Sequence, residues 1–97
     1  MIERPSTLIA HSLLYEGNYC AIGWLAHCAE VPDSVLKNPL TEVSNIVEIV
    51  SCHYGISLIP IRELLYYNDR LDERQRRVYF YEWCDRNGIE IIGNSAQ

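Results

Sequence analysis

Residues 19–29, Tyr-Cys-Ala-Ile-Gly-Trp-Leu-Ala-His-Cys-Ala, constrain the fold more than any other stretch, because a helix written from them is apolar on nearly every face. A helix without a wet side has to be surrounded, so this segment is expected at the centre of a small bundle. Asn18 stands where its N-cap belongs. Gly23 in the middle costs roughly 1 kcal/mol against alanine, and its expected use is close approach by a neighbouring helix. The chain has 97 residues, 48% of them hydrophobic, which fits one helical domain over residues 1–97 and not two cores. The longest uncharged stretch, Gly17 to Ala29, is shorter than the ~20 apolar residues that cross a bilayer, so no membrane partner is expected. The N-terminal residues include acids and lack a signal cleavage site, and the expected location is cytoplasmic.

The remaining elements follow from punctuation and periodicity. Pro5 opens and Gly17 closes an expected first helix over Ser6 to Glu16. Pro32, Asp33 and Pro39 bracket at most one helical turn. Thr41 is the expected cap of a helix running to Tyr54, whose Val43, Ile46, Val47, Val50 and Tyr54 form one stripe. Gly55 ends it, and Ile56 to Ile59 read as a buried connection into a helix at Pro60 that stops near Asn68-Asp69. Asp72 and Gln75 have the spacing of a capping box ahead of a last helix over Glu73 to Arg86. Ile89, Ile91 and Ile92 then form an extended tail packed on the bundle, and residues 94–97 are expected to fray. The fold class is therefore an all-α bundle of about five helices with a buried central helix. The alternative is α+β, with two short strands at Ile56–Ile59 and Ile89–Ile92, both β-branched and bounded by glycine.

The formal charge is −5, and nearly all the positive charge lies in the second half. Arg70, Arg74, Arg76 and Arg77 are interleaved with Asp69, Asp72 and Glu73, a pattern of intrahelical pairs rather than a phosphate track, so nucleic acid is not an expected partner. Cys20, Cys28, Cys52 and Cys84 never form C-x-x-C, which points to free thiols. A zinc set drawn from Cys28, Cys52, His53 and Cys84 lacks the paired spacing of ligands, and neither a metal nor another cofactor is expected. Cys20 falls near the start of the central helix, where free N–H groups favour a thiolate. With His27 or His53 as base and Asn68 or Asp69 as orienter, it supports an alternative function as a small cysteine-dependent hydrolase, with Cys20, His53 and Asp69 as the catalytic set. The apolar surroundings of Cys20 argue for a packed small hydrophobe instead, in which case Cys20→Ser is expected to cost roughly 1 to 3 kcal/mol. His11, His27 and His53 read as hydrogen-bonded core or interface residues, and the run Tyr66 to Asp69 as a turn between helices.

Tyr19-Cys20-Ala21-Ile22-Gly23, followed some forty-five residues later by Leu64-Leu65-Tyr66-Tyr67-Asn68-Asp69 and then by a last helix containing Arg77, resembles a family of small uncharacterised bacterial and phage helical proteins. That family pairs a C-x-x-G segment with a later hydrophobic-N-D turn, and the resemblance covers Asn18 to Trp83. It carries no assigned activity, ligand or catalytic residue. It implies that Cys20, Gly23, Asn68 and Asp69 meet in the fold. The additional cysteine and the aromatic-rich last helix set this chain apart.

No catalytic motif outweighs its structural explanation, whereas the last helix has the aromatic and arginine composition enriched at interfaces. The functional expectation is a small soluble protein that is not an enzyme and acts as a protein-binding or regulatory protein, phage- or mobile-element-encoded and directed at a host protein. Tyr79, Phe80 and Trp83 beside Arg76 and Arg77 are the expected contact residues, and the partner is another protein or a second copy in a homodimer.

Overall fold

In the computed structural model, which describes residues 1–93, helix α1 (Ala21–Cys28) buries Ala21, Ile22, Gly23, Leu25 and Ala26. It packs against α2 (Asp33–Leu36), α3 (Val43–Tyr54) and α4 (Leu58–Arg70), with α5 (Glu73–Arg86) laid against α4. Just over half of the described residues are helical. The segment without a wet side is thus the one enclosed by the others, as its composition demands. Ile46, Val47 and Val50 carry the apolar stripe of α3 into the core, and Gly55 closes that helix in the left-handed conformation at φ 67°. Asp72 accepts from the Gln75 N–H at 2.9 Å while Gln75 accepts in return from the Asp72 N–H, so α5 begins with a complete capping box.

A purely all-α bundle is corrected by four short strands among the described residues, and the α+β alternative describes the architecture better. β1 (Ile2–Glu3) pairs in parallel with β4 (Ile91–Ile92), joining the two ends of the described chain, with Ile2 opposite Ile91. β2 (Leu14–Tyr15) and β3 (Asn18–Tyr19) form an antiparallel hairpin. The expected strand at Ile89–Ile92 therefore exists in part, while Ile56–Ile59 contains none, because α4 already begins at Leu58 with Pro60 in its first turn.

The expected helix over Ser6 to Glu16 is absent. Its closing glycine serves the hairpin instead: Glu16 (φ 51°) and Gly17 (φ 80°) supply the two positive φ angles that a tight two-residue β-turn requires. Residues 6–13 follow a bent, irregular course, with His11 at φ 69°, because distant groups take up their backbone. Leu8 bridges to Tyr19, the Ile9 N–H donates to the Tyr19 carbonyl at 2.9 Å, and the Leu8 and Ile9 carbonyls accept from Arg76 and Asn68. A lone helix of this length is marginal in water, so these long-range bonds decide the conformation. Two caps also move. Cys20, not Asn18, caps α1, and Glu42 precedes α3 without a capping bond while the Thr41 hydroxyl donates to the Val35 carbonyl at 2.7 Å. The fraying expected of residues 94–97 lies outside the described residues. Among the described residues no helix is long and apolar enough to cross a membrane.

Candidate functional site

The polar groups of the interior gather at the N-terminus of α1. The Ala21 N–H donates to Asn68 Oδ1 at 3.0 Å and the Gly23 N–H to Cys20 Sγ at 3.2 Å, so two of the helix's orphan donors are taken by side chains. Asn68, fully buried on α4, uses its Nδ2 to donate to the Ile9 carbonyl at 3.0 Å and to Asp69 Oδ1 at 3.1 Å. Asp69 Oδ1 also accepts from the His11 N–H at 2.9 Å. Cys20, Gly23, Asn68 and Asp69 thus meet around one helix end. Arg76, buried on α5, donates to the carbonyls of Asn68 (2.6 Å), Leu8 (2.7 Å) and Leu71 (2.6 Å). Two of those carbonyls close the end of α4, where a cation also suits the helix dipole.

This arrangement holds the fold and leaves Cys20 poorly prepared for nucleophilic chemistry. Burial pushes its thiol up to about 11, against the amide bonds from Gly23 and Ile22 that pull it down, and the nearby Asp69 adds to the rise. A cavity of about 170 Å³ beside Cys20 is lined by His11 and Asp69, with Val43 as its contribution from α3. His53 lies ten residues beyond Val43 on that helix, roughly 15 Å further along, and its ring packs on Tyr54 at 4.7 Å. The structure therefore brings Asp69 to Cys20 and leaves His53 at the far end of α3. His27 is also engaged elsewhere: its Nδ1 lies 3.1 Å from Tyr19 Oη and 3.2 Å from Asp33 Oδ1, and its ring packs with those of Tyr19 and Trp24 in a three-ring cluster. Burial raises the thiols of Cys28 and Cys84, the latter to about 12, while Cys52 is exposed. Among the described residues no three His, Cys, Asp or Glu side chains converge as a metal site would require.

The expected contact residues on α5 divide between inside and outside. Phe80 (0% exposed) and Trp83 (1%) belong to the core, Trp83 donating from Nε1 to the Pro60 carbonyl at 2.8 Å, and Arg76 is the buried anchor described above. These three are corrected: they cannot meet a partner, because the helix turns them toward α4 and the N-terminal segment. Arg77 reaches the surface as an ion pair with Glu73 at 2.7 Å, a charge contact not aligned as a hydrogen bond. Tyr79 is half-buried and joins a row that crosses from α5 to α4: Tyr67 lies 5.0 Å from Tyr79 and 5.1 Å from Tyr66, centroid to centroid. Ile59 (68% exposed), Tyr66 (51%) and Val78 (49%) extend this row as apolar surface left in water. The Arg70 guanidinium lies 3.6 Å from the centre of the Tyr66 ring, and Arg86 lies 5.8 Å from that of Tyr79.

No family model, curated protein or solved structure matches this chain. Tyr66 and Tyr67, expected in a turn between helices, instead lie within α4 and face the surface. A usable signal was present: Ile59, Arg62, Glu63, Tyr66, Tyr67 and Arg70 recur at helical spacing opposite Ile61, Leu64 and Asn68, which are buried. His11 and Arg76 carried no comparable local signal.

Proposed function

We propose that this chain is a protein-binding or regulatory module rather than an enzyme, and that it meets its partner through the outer face of the α4–α5 hairpin. One observation carries the reading: the row Tyr66–Tyr67–Tyr79, bordered by Ile59 and Val78, is continuous across two helices, with Tyr66 and Tyr67 exposed and Tyr79 half-buried. Tyrosine offers large contact area with few rotatable bonds, and the arginine stacked on Tyr66 fixes that ring before binding. Aromatic residues and arginine are the composition enriched at contact surfaces. The hydrolase reading has less support, since its nucleophile is buried, its thiol is raised and its proposed base is remote. The resemblance to the small bacterial and phage proteins rests on the C-x-x-G segment at Cys20 and the later hydrophobic-N-D run at Asn68-Asp69.

The test is affinity capture with the full chain and with a Tyr66→Ala/Tyr79→Ala double variant as baits. The wild-type bait, or a second copy of it carrying another tag, should retain a protein that the variant loses while circular dichroism shows the same helical content. Identical capture by both baits, or none by either, would contradict the reading.

A further inference from the structure

We infer that the occupant of the α4–α5 face is a second copy of this chain, related to the first by a two-fold axis; the inference rests on the reading of that face as a protein contact. Charge distribution carries it. Residues 58–86 hold six arginines and six acids, so the helical hairpin is neutral, and the rest of the chain carries the whole formal charge of −5. Two copies that approach by any other side bring like charges within a Debye length of about 10 Å, where they repel. Approach by the hairpin avoids that cost, and there Ile59, Tyr66, Tyr67 and Val78 form a cluster of uncovered apolar and aromatic surface, while Met1, Tyr15 and Leu40 are exposed on the acidic remainder.

The pattern of charge on the face fits self-association more closely than it fits a charged foreign partner. Exposed Arg62, Arg70 and Arg74 alternate with Glu63, Asp72 and Glu82 along the two helices. A two-fold axis brings a surface against itself, so a face holding both signs in similar number can set arginine of one copy against carboxylate of the other. A strongly acidic partner gains nothing comparable, because the carboxylates on the same hairpin cancel the field that would steer it. Shape adds to the argument. Shallow grooves lie along the tyrosine row, one where Ile59, Tyr66 and Tyr67 meet Arg62 and Glu63 and the other where Val78 and Tyr79 meet Arg74 and Glu82, so each copy offers apolar side chains and recesses rimmed by both signs of charge.

The experiment is sedimentation velocity of the full chain under a thiol reductant, which keeps exposed Cys52 from crosslinking. Concentration runs from about 1 to about 200 µM, at about 50 and about 500 mM salt. The expected species at the upper concentrations has twice the 11.2 kDa chain mass. Salt acts on it in two opposed ways, screening repulsion between the acidic remainders and weakening arginine–carboxylate pairs across the axis, so its dissociation constant should change by less than about tenfold between the two salt concentrations. Ile59→Glu, at a position 68% exposed, should raise that constant at least about tenfold with unchanged helical content, and Tyr66→Ala should act in the same direction. A monomer at every concentration, or a dimer indifferent to both substitutions, overturns the inference. A dissociation constant that rises more than about tenfold with salt overturns it as well. When no dimer forms, the capture experiment separates the cases: a different protein retained by the wild type and lost with Ile59→Glu leaves the protein-binding reading standing with another partner, while equal capture ends both.

Discussion

Gly23→Ala is the substitution for which helix propensity and tertiary contact give opposite signs, and the geometry decides between them. In an isolated helix the change should gain roughly 1 kcal/mol, because glycine pays the larger backbone entropy. Here a Cβ built on Gly23 would lie 2.0 Å from the Leu13 carbonyl oxygen and 2.8 Å from its carbon. An ordinary carbon–oxygen contact is about 3.3 Å or more, so Leu13 would have to withdraw by roughly 1.3 Å. Withdrawal is resisted by the bond from the Cys20 N–H to the Leu13 carbonyl at 3.2 Å and by the buried side chains of Leu13 and Leu14 on either side of the obstructed carbonyl. Losing that bond costs about 1 kcal/mol, and partial exposure of two leucines costs a further ~2 to 3 kcal/mol. Against the gain in propensity, the net expectation is a loss of roughly 2 to 3 kcal/mol. Urea unfolding followed by circular dichroism measures it, with Ala26→Gly on the same helix as the reference for propensity and packing without a clash. A Gly23→Ala variant as stable as the wild type, or more so, would refute the claim that the Leu13 backbone is pressed against α1.

Arg76→Met should cost about 3 kcal/mol or more in thermal or urea unfolding, because it strands the carbonyls of Leu8, Asn68 and Leu71; Arg76→Lys, with one compact ammonium, should recover only part of the loss. Asn68→Asp should destabilise by roughly 2 to 4 kcal/mol, since a carboxylate can still accept from Ala21 but cannot donate to Ile9, and it faces Asp69; recovery of stability near pH 4 would support that cause. Cys20→Ser should now be milder than Cys20→Ala, because the Gly23 N–H supplies the partner that a buried hydroxyl was expected to lack, and serine is a good N-cap; equal losses in the two variants would remove the capping role. In native alkylation Cys52 should react first, with Cys20 and Cys84 modified only as the protein unfolds. Burial raises the thiols of Cys20 to about 11 and Cys84 to about 12, so the unfolded chain releases those protons first and stability should be full below about pH 8.5 and fall as pH rises toward 11 to 12; Cys20→Ser should flatten that decline, and an unchanged slope would count against it.

Local chemistry in the sequence was sufficient to determine the helices that carry their own boundaries. The capping box at Asp72 and Gln75, the left-handed glycine at 55 and the stripe of α3 act within one or two turns, and the enclosure of α1 follows from its lack of any polar face. Tertiary structure alone decided residues 1–20. Pro5 and Gly17 punctuate a helix as well as they punctuate an extended segment and a hairpin, and the choice fell to Asn68, Arg76 and Tyr19, whose bonds to Leu8 and Ile9 reach across as many as 68 positions of sequence. It also decided which face of α5 is wet. Tyr79, Phe80 and Trp83 have similar chemistry and differ by about 100° per residue around the helix, so only the placement of α4 and the N-terminal segment sends Phe80 and Trp83 inward and leaves Tyr79 beside Tyr67 at the surface.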